Sequence, residues 1–311
     1  MRIAVIAGEG CLPVEIAKTL ISQGEIPVAL TICDDPEKMA DFASPVLNLG
    51  KLKLSLGLKM LKENNVDRVI MAGTVPKRSI YSPSVLLDPV SLKIFMRSRK
   101  DDHSLLGAVV SWFESEGIKV LPYASYVARC LAPEGLISAR APSDAERKDI
   151  EYGERILKAI LQHSFGQSLV VADEAIVAVE AMEGTDGMIF RAGELLRRGS
   201  SGSEAALIPA SPGSEAALIS AAPGSEAALI SAAPTAAKRK GTIVKMMRSD
   251  QDERYDLPTI GPDTIENMRG AGLSCIAVES GRTLILEFDK VLEKAGRYDI
   301  AVWGLKSQIN Y

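Results

Sequence analysis

The stretch from Glu253 to Gly261 sets a carboxylate at Asp256, a rigid Pro258, a hydroxyl at Thr259 and a flexible Gly261 close together. It lies between a β-like run at 241–247 and a predicted helix at 262–270. Strand-to-helix connections are where α/β proteins present polar groups for chemistry. An ionised aspartate there can ligate a hydrated cation or hold a water molecule. The same residues also suit an ordinary turn: Pro258 presets φ, Gly261 permits positive φ, and Asp256 or Thr259 can cap the next helix.

A second polar cluster, Glu180 to Gly187, stands between a predicted strand at 175–179 and a predicted helix at 188–197. Glu183, Thr185 and Asp186 around Gly184 suit a hydrated metal or a sugar hydroxyl. Acids at the start of a helix are equally explained by capping and by the helix dipole.

A third candidate, Gly8 to Pro13, follows the apolar run 3–7. Gly8-x-Gly10 is the start of a dinucleotide fingerprint, with Asp34 placed like a ribose-binding acid, so an NAD(P)-dependent oxidoreductase is one reading. Pro13 stands where the fingerprint needs Gly or Ala to let the helix pack close. The plainer reading is an anion cradle, in which N–H groups at the helix start, around Gly8, Gly10 and Leu12, face a phosphate.

These candidates need a scaffold. The apolar runs 3–7, 28–33 and 68–72 read as buried strands, and 119–121 as the start of another. Amphipathic patterns at 14–21, 52–63, 85–98 and 105–116 read as helices between them. Such alternation predicts a parallel Rossmann-like sheet over 1–132. The turn-rich segment near 130–142 marks a boundary, and Ser143 with Glu146 forms a capping box for a helix to about His163. Beyond it come a hairpin, 169–172 and 175–179 across Asp173 and Glu174, then strands at 243–247, 275–278, 283–288 and 300–303. Helices at 262–269 and 289–296 complete a second α/β domain over 133–311, with a mixed sheet.

Residues 202–234 are three near-copies of an eleven-residue unit, each closed by Pro212, Pro223 or Pro234. With Pro and Gly in each copy, they cannot form one continuous helix, and they offer little apolar area to offset ordering entropy. They read as a surface insertion outside the site.

The chain has 311 residues, 47% of them hydrophobic, which suits two domains with real cores. A net charge of −4, with only the short basic run 238–240, argues against a nucleic-acid partner. The four cysteines, Cys11, Cys33, Cys130 and Cys275, make no C-x-x-C pair and read as buried free thiols in a reducing compartment. Two histidines, His103 and His163, cannot build a His-rich zinc site, so a metal here would take oxygen ligands, as Mg²⁺ or Mn²⁺ does. No signal peptide or run of about 20 apolar residues is present, which predicts a cytoplasmic protein.

Several of these stretches resemble one family, the UDP-2,3-diacylglucosamine pyrophosphatases of the alternative, non-calcineurin-like type. The likeness rests on Ala7 to Pro13, Met71 to Gly73, Lys100 to Asp102, Ile118 to Leu121, Gly166 to Val171, Ala178 to Asp186 and Asp256 to Gly261. The repeat is not among them. The resemblance implies hydrolysis of UDP-2,3-diacylglucosamine to UMP and 2,3-diacylglucosamine 1-phosphate (lipid X), in lipid A synthesis. It implies water attack on the β-phosphorus helped by Mg²⁺ or Mn²⁺, with Asp256 as the family's key aspartate, as metal ligand or water orienter. Asp186 and Glu183 become candidate supporting metal ligands, and Lys245 a cation for the diphosphate. Gly8, Gly10, Leu12, Gly73, Gln167, Thr185, Asp186 and Thr259 are the candidate substrate contacts. Asp101 and Asp102 bind hydroxyls or metal, or simply cap a helix. A diacyl substrate also implies transient contact with the inner-membrane surface, and a homodimer is compatible with all of this. Outside the family, the alternative from another class is a non-catalytic carrier of lipid or nucleotide sugar.

Overall fold

The computed structural model describes residues 2–32, 36–49, 53–75, 88–97, 102–163, 166–200, 241–248 and 251–307. Cys33, Asp34, Asp101, the repeat 202–234 and the basic run 238–240 lie outside the described residues. The chain forms two compact units. The first comprises Met1–Leu131 together with Asp250–Thr259 and Gly281–Glu287, and the second comprises Ala132–Ser249, Ile260–Ser280 and Phe288–Tyr311. The stretch carrying Asp256 therefore belongs to the N-terminal unit, although it lies far along the chain.

In the first unit β1 (Arg2–Ala7) leads to α1 (Leu12–Ser22), β2 (Val28–Thr31), β3 (Val46–Asn48), α2 (Leu54–Glu63) and β4 (Val66–Ala72). Then follow α3 (Pro89–Arg97), α4 (Asp102–Ser115) and β5 (Lys119–Val120). The strands form a five-stranded sheet in the order β3-β2-β1-β4-β5, parallel throughout. The order reverses between β1 and β4, so the loops leaving these two strands diverge at a topological switch point, where open α/β sheets bind ligands. Ala4, Ile6, Leu30 and Val69 from the sheet pack with Leu61, Val110 and Phe113 from the helices in one core. The expected helix at 105–116 starts earlier, at Asp102, and β3 is a strand the hydrophobic pattern did not reveal, being three residues long.

In the second unit β6 (Gly135–Leu136) precedes α5 (Asp144–Leu161), the hairpin β7 (Ser168–Ala172) and β8 (Ala175–Val179), α6 (Gly184–Ser200) and β9 (Thr242–Lys245). After the two-residue strand β10 (Thr259–Ile260), where the chain passes from the first unit to the second, come α7 (Pro262–Ala271) and β11 (Cys275–Glu279), then β12 (Leu284–Ile285), which belongs to the first unit, and α8 (Phe288–Arg297) and β13 (Ala301–Leu305) of the second. The six-stranded sheet runs β6-β13-β11-β9-β7-β8. Its centre, β13-β11-β9, is parallel; β6 and β7 are antiparallel to their neighbours, which makes it mixed. Asp173 and Glu174 both take positive φ, the backbone of a tight two-residue hairpin, and the Glu174 amide donates to the Asp149 carboxylate at 2.7 Å.

The run 283–288 is not the strand its apolar pattern predicts. Only Leu284–Ile285 is extended; Glu287 takes a positive φ of 49° and Phe288 opens α8.

The capping box forms as read: the Glu146 amide donates to Ser143 Oγ at 3.3 Å, and the Ser143 amide to Glu146 at 2.7 Å. Glu146 also accepts from both Arg140 nitrogens, at 2.8 and 2.9 Å, and from Ser274 Oγ at 2.6 Å. Burial pushes its carboxyl pKa up, but the bonds from Arg140, Ser274 and the Ser143 amide prevail and hold it down at about 2. Because the folded pKa is lowered, this stabilisation is complete above the ordinary glutamate value of 4.5 and is lost as pH falls toward about 2. Glu146→Gln is therefore expected to cost about 3 kcal/mol at neutral pH. The gap from wild type should close in acid, read from urea unfolding by Trp303 fluorescence at a series of pH values.

Candidate functional site

At the switch point of the first unit the two diverging loops are bonded to each other. The Gly8 amide donates to Ala72 O at 2.8 Å, the Glu9 amide to Thr74 O at 2.8 Å and the Thr74 amide to Glu9 O at 2.9 Å. The expected anion cradle is corrected accordingly: the Gly8 and Glu9 amides are engaged by backbone and do not face a phosphate. What remains for an anion is the tip, Gly10 to Leu12, where α1 begins with no side-chain cap. Gly10 has φ 98° and open space where a Cβ would stand. Gly8 and Gly73 are required by the crossing itself, since a Cβ on Gly8 would lie 2.6 Å from Thr74 O, and one on Gly73 2.6 Å from Glu9 O. Leu12 is buried at the head of α1, as core. Cys11 is only half-buried, so the reading of it as a buried thiol is corrected. Burial and the nearby Glu287 carboxylate raise its pKa, which keeps it a neutral thiol. Cys130 and Cys275 are buried as expected.

Asp256 is half-buried in a turn whose backbone is held on both sides. Its amide donates to Asp252 O at 2.9 Å, the Leu257 amide to the Tyr123 hydroxyl at 2.8 Å, and the Leu284 amide to Pro258 O at 2.8 Å. Thr259 Oγ1 donates to Leu257 O at 3.0 Å, so its proton serves the turn. Tyr123 follows β5, at the carboxyl end of the parallel sheet, and is buried. Burial, and then the Asp256 charge against the opposing pull of the Leu257 amide, push its phenol pKa up. The phenol is therefore neutral and accepts from the Leu257 N–H. Tyr255 packs on the core of this unit, its pKa pushed up to about 12 by burial and then by Asp252. The N-terminal loops and the Asp256 turn thus belong to one unit.

In the second unit the remaining candidates lie at the carboxyl end of the parallel strands. Lys245 closes β9 and is buried, and its Nζ donates to Thr185 Oγ1 at 2.8 Å. Thr185 Oγ1 donates to Glu180 Oε1 at 3.2 Å, and Ser168 Oγ donates to Glu180 Oε2. The Gln167 amide reaches Glu180 Oε2 at 3.4 Å, and its carbonyl accepts from the Met246 amide at 2.9 Å. Thr185, Lys245 and Gln167 are thus brought together around Glu180. Composition singled out Glu183 and Asp186 as ligands and passed over Glu180, although the same short motif contains it.

Glu183 and Asp186 do not converge. Glu183 is exposed and ion-paired with Arg191, which lowers its carboxyl pKa. Asp186, in the first turn of α6, accepts from Asn267 Nδ2 at 2.9 Å. Among the described residues no three His, Cys, Asp or Glu side chains form a metal-binding group. The donor set is not that of a dedicated cage.

Residues 2–130 match the family described as the LpxI N-terminal domain, and residues 133–209 and 213–303 match the LpxI C-terminal domain. The chain belongs to the LpxI family. It is 27% identical, over 99% of its length and 98% of the relative's, to the UDP-2,3-diacylglucosamine pyrophosphatase LpxI of Caulobacter vibrioides. Membership of the LpxI family makes the chain an enzyme, a hydrolase. The switch-point loops fall within the match to the LpxI N-terminal domain, and the Glu180 cluster and Asp256 within that to the LpxI C-terminal domain. Among the described residues no helix is long and apolar enough to cross a membrane.

Proposed function

We propose that this chain hydrolyses the diphosphate of UDP-2,3-diacylglucosamine, giving UMP and 2,3-diacylglucosamine 1-phosphate for lipid A synthesis. The observation that carries the reading is likeness along nearly the whole chain to a pyrophosphatase named for that substrate. The backbone clamp around Asp256 supports it. In the proposed step a water oxygen bonds to the β-phosphorus and the bond from that phosphorus to the bridging oxygen breaks. UMP leaves with the bridging oxygen, and the acylated sugar keeps the new phosphate.

Asp256 offers a carboxylate on a turn held by its backbone, for the attacking water or for a cation's ligand shell. Mg²⁺ or Mn²⁺, when bound with the diphosphate, would neutralise charge on the phosphate oxygens. Gly10 to Leu12, in the same unit as Asp256, supply backbone donors. A lipid-linked substrate brings the protein transiently to the inner-membrane surface.

The test is UMP release by the full chain from UDP-2,3-diacylglucosamine. Release that needs Mg²⁺ or Mn²⁺ and stops with a chelator is expected. Tight substrate binding with no UMP under any divalent metal would replace this reading with that of a carrier. Tyr123→Phe leaves the Leu257 N–H buried without its acceptor, at a cost of about 1–3 kcal/mol. It should also slow UMP release about tenfold or less at saturating substrate, because the freed amide adjoins Asp256.

A further inference from the structure

Within the first unit, the stretch that leads into Asp256 is laid along one face of α4. Gly107 and Glu114 stand about two turns apart on that helix and so share a face. A Cβ on Gly107 would lie 3.4 Å from the Tyr255 hydroxyl, and Glu114 Oε1 accepts from Arg254 Nη1 at 2.8 Å. Arg254 also grips the chain just before it. Its amide donates to Asp252 Oδ1 at 2.9 Å, its Nε to both Asp252 carboxylate oxygens at 3.0 Å, and its Nη2 to Oδ2 at 2.7 Å. The Asp252 backbone carries the hold onward, since its carbonyl accepts from the Tyr255 amide at 3.1 Å and from the Asp256 amide at 2.9 Å. One guanidinium thus joins a scaffold helix to the residue whose carbonyl fixes the Asp256 N–H. An isolated exposed ion pair fixes little. A planar guanidinium that forks onto one carboxylate while its remaining nitrogen holds another fixes a direction as well as a distance.

Resting on the function proposed above, we propose that Arg254 is a positioning residue for Asp256. It sets where the Asp252 to Asp256 turn stands on α4, and through that turn where the Asp256 carboxylate stands. Glu114, Asp252, Arg254 and Asp256 all belong to the first unit. The bonds of Arg254 go to Asp252 and Glu114, so it acts through the turn, on the chemical step and not on substrate affinity. Glutamine at this position has neither the charge nor the fork, and cannot hold both carboxylates.

The experiment measures kcat and KM for UMP release from UDP-2,3-diacylglucosamine in Arg254→Gln and Glu114→Ala, each in the wild-type and the Asp256→Asn background. Arg254→Gln should lower kcat about tenfold, as displacement of a reacting group does, with KM within about threefold of wild type. Glu114→Ala, which removes only the outer bond, should lower kcat by about threefold. In the Asp256→Asn background neither substitution should lower the residual rate further, because a residue that acts through Asp256 has nothing left to position. An unchanged kcat in Arg254→Gln overturns the proposal, whether or not thermal stability falls. So does a raised KM at constant kcat, the mark of a direct substrate contact. So does a loss that persists undiminished in the Asp256→Asn background, the mark of a purely structural role. If Arg254→Gln does not fold, Glu114→Ala decides in the same way. Lack of UMP release by wild type would instead overturn the function, a distinct result.

Discussion

Asp256→Asn is expected to lower UMP release by at least about a thousandfold while the protein stays folded, as loss of an essential carboxylate does in phosphoryl and acyl transfer. The two halves of that statement have separate causes. The turn is held by its backbone, through the Asp256 amide on Asp252 O, the Leu257 amide on Tyr123 and the Leu284 amide on Pro258 O. None of these bonds is made by the Asp256 side chain, so they should persist in Asp256→Asn. The carboxylate itself has no substitute, since an amide carries no negative charge for a hard cation and replaces one acceptor oxygen with a donor. Metal dependence separates the two roles. If Asp256 ligates the cation, raising Mg²⁺ or Mn²⁺ well above the wild-type requirement will recover part of the rate in Asp256→Asn. If it orients water, the loss will be independent of metal concentration. Near-wild-type release by folded Asp256→Asn would remove this residue from the mechanism.

Much of the scaffold was legible because it rests on short-range rules. The Ser143 and Glu146 box, the hairpin across Asp173 and Glu174, and the alternation of buried strands with amphipathic helices are each encoded within a few residues. What escaped depends on partners far away in sequence. Tyr123 and Leu257 are 134 residues apart, and no local pattern announces that the turn after β9 belongs to the N-terminal unit. The edge strand β6 was hidden for a similar reason, since it is two residues long and defined only by pairing with β13. The run 283–288 shows the opposite failure. Its apolar alternation mimics a strand, but a left-handed Glu287 ends the extension.

The candidate site was legible to the level of the motif and no further. Thr185, named from its type, and Lys245, named through the family resemblance, do meet, at 2.8 Å. The residue that organises them, Glu180, looked no different from Glu183, and only burial separates the two: Glu180 is 7% exposed, whereas Glu183 lies at the surface beside Arg191. Likewise, Gly8 and Gly73 read as ligand-approach glycines, whereas here the close approach is between two loops of the same chain.

Gly73→Ala is the second large effect, expected to destabilise the first unit by about 3–4 kcal/mol, from left-handed strain plus overpacking. At Gly73 φ is 86°, and the added Cβ would stand 2.6 Å from Glu9 O and 2.8 Å from the Gly8 carbonyl carbon. Both obstacles are backbone, so no side chain can swing aside. Relief requires the loops after β1 and β4 to part, which breaks the paired bonds between Glu9 and Thr74. The same opening would displace Gly10 to Leu12, so UMP release should fall as well. Gly8→Ala meets the same crossing from the other side, 2.6 Å from Thr74 O. Once one substitution has parted the loops the other has less to break, so the Gly8→Ala/Gly73→Ala double variant should lose clearly less than the sum of the singles. Urea unfolding followed at Trp112, which packs on the core of this unit, reads both quantities. Additive losses would mean that the loops do not cross as a single rigid element.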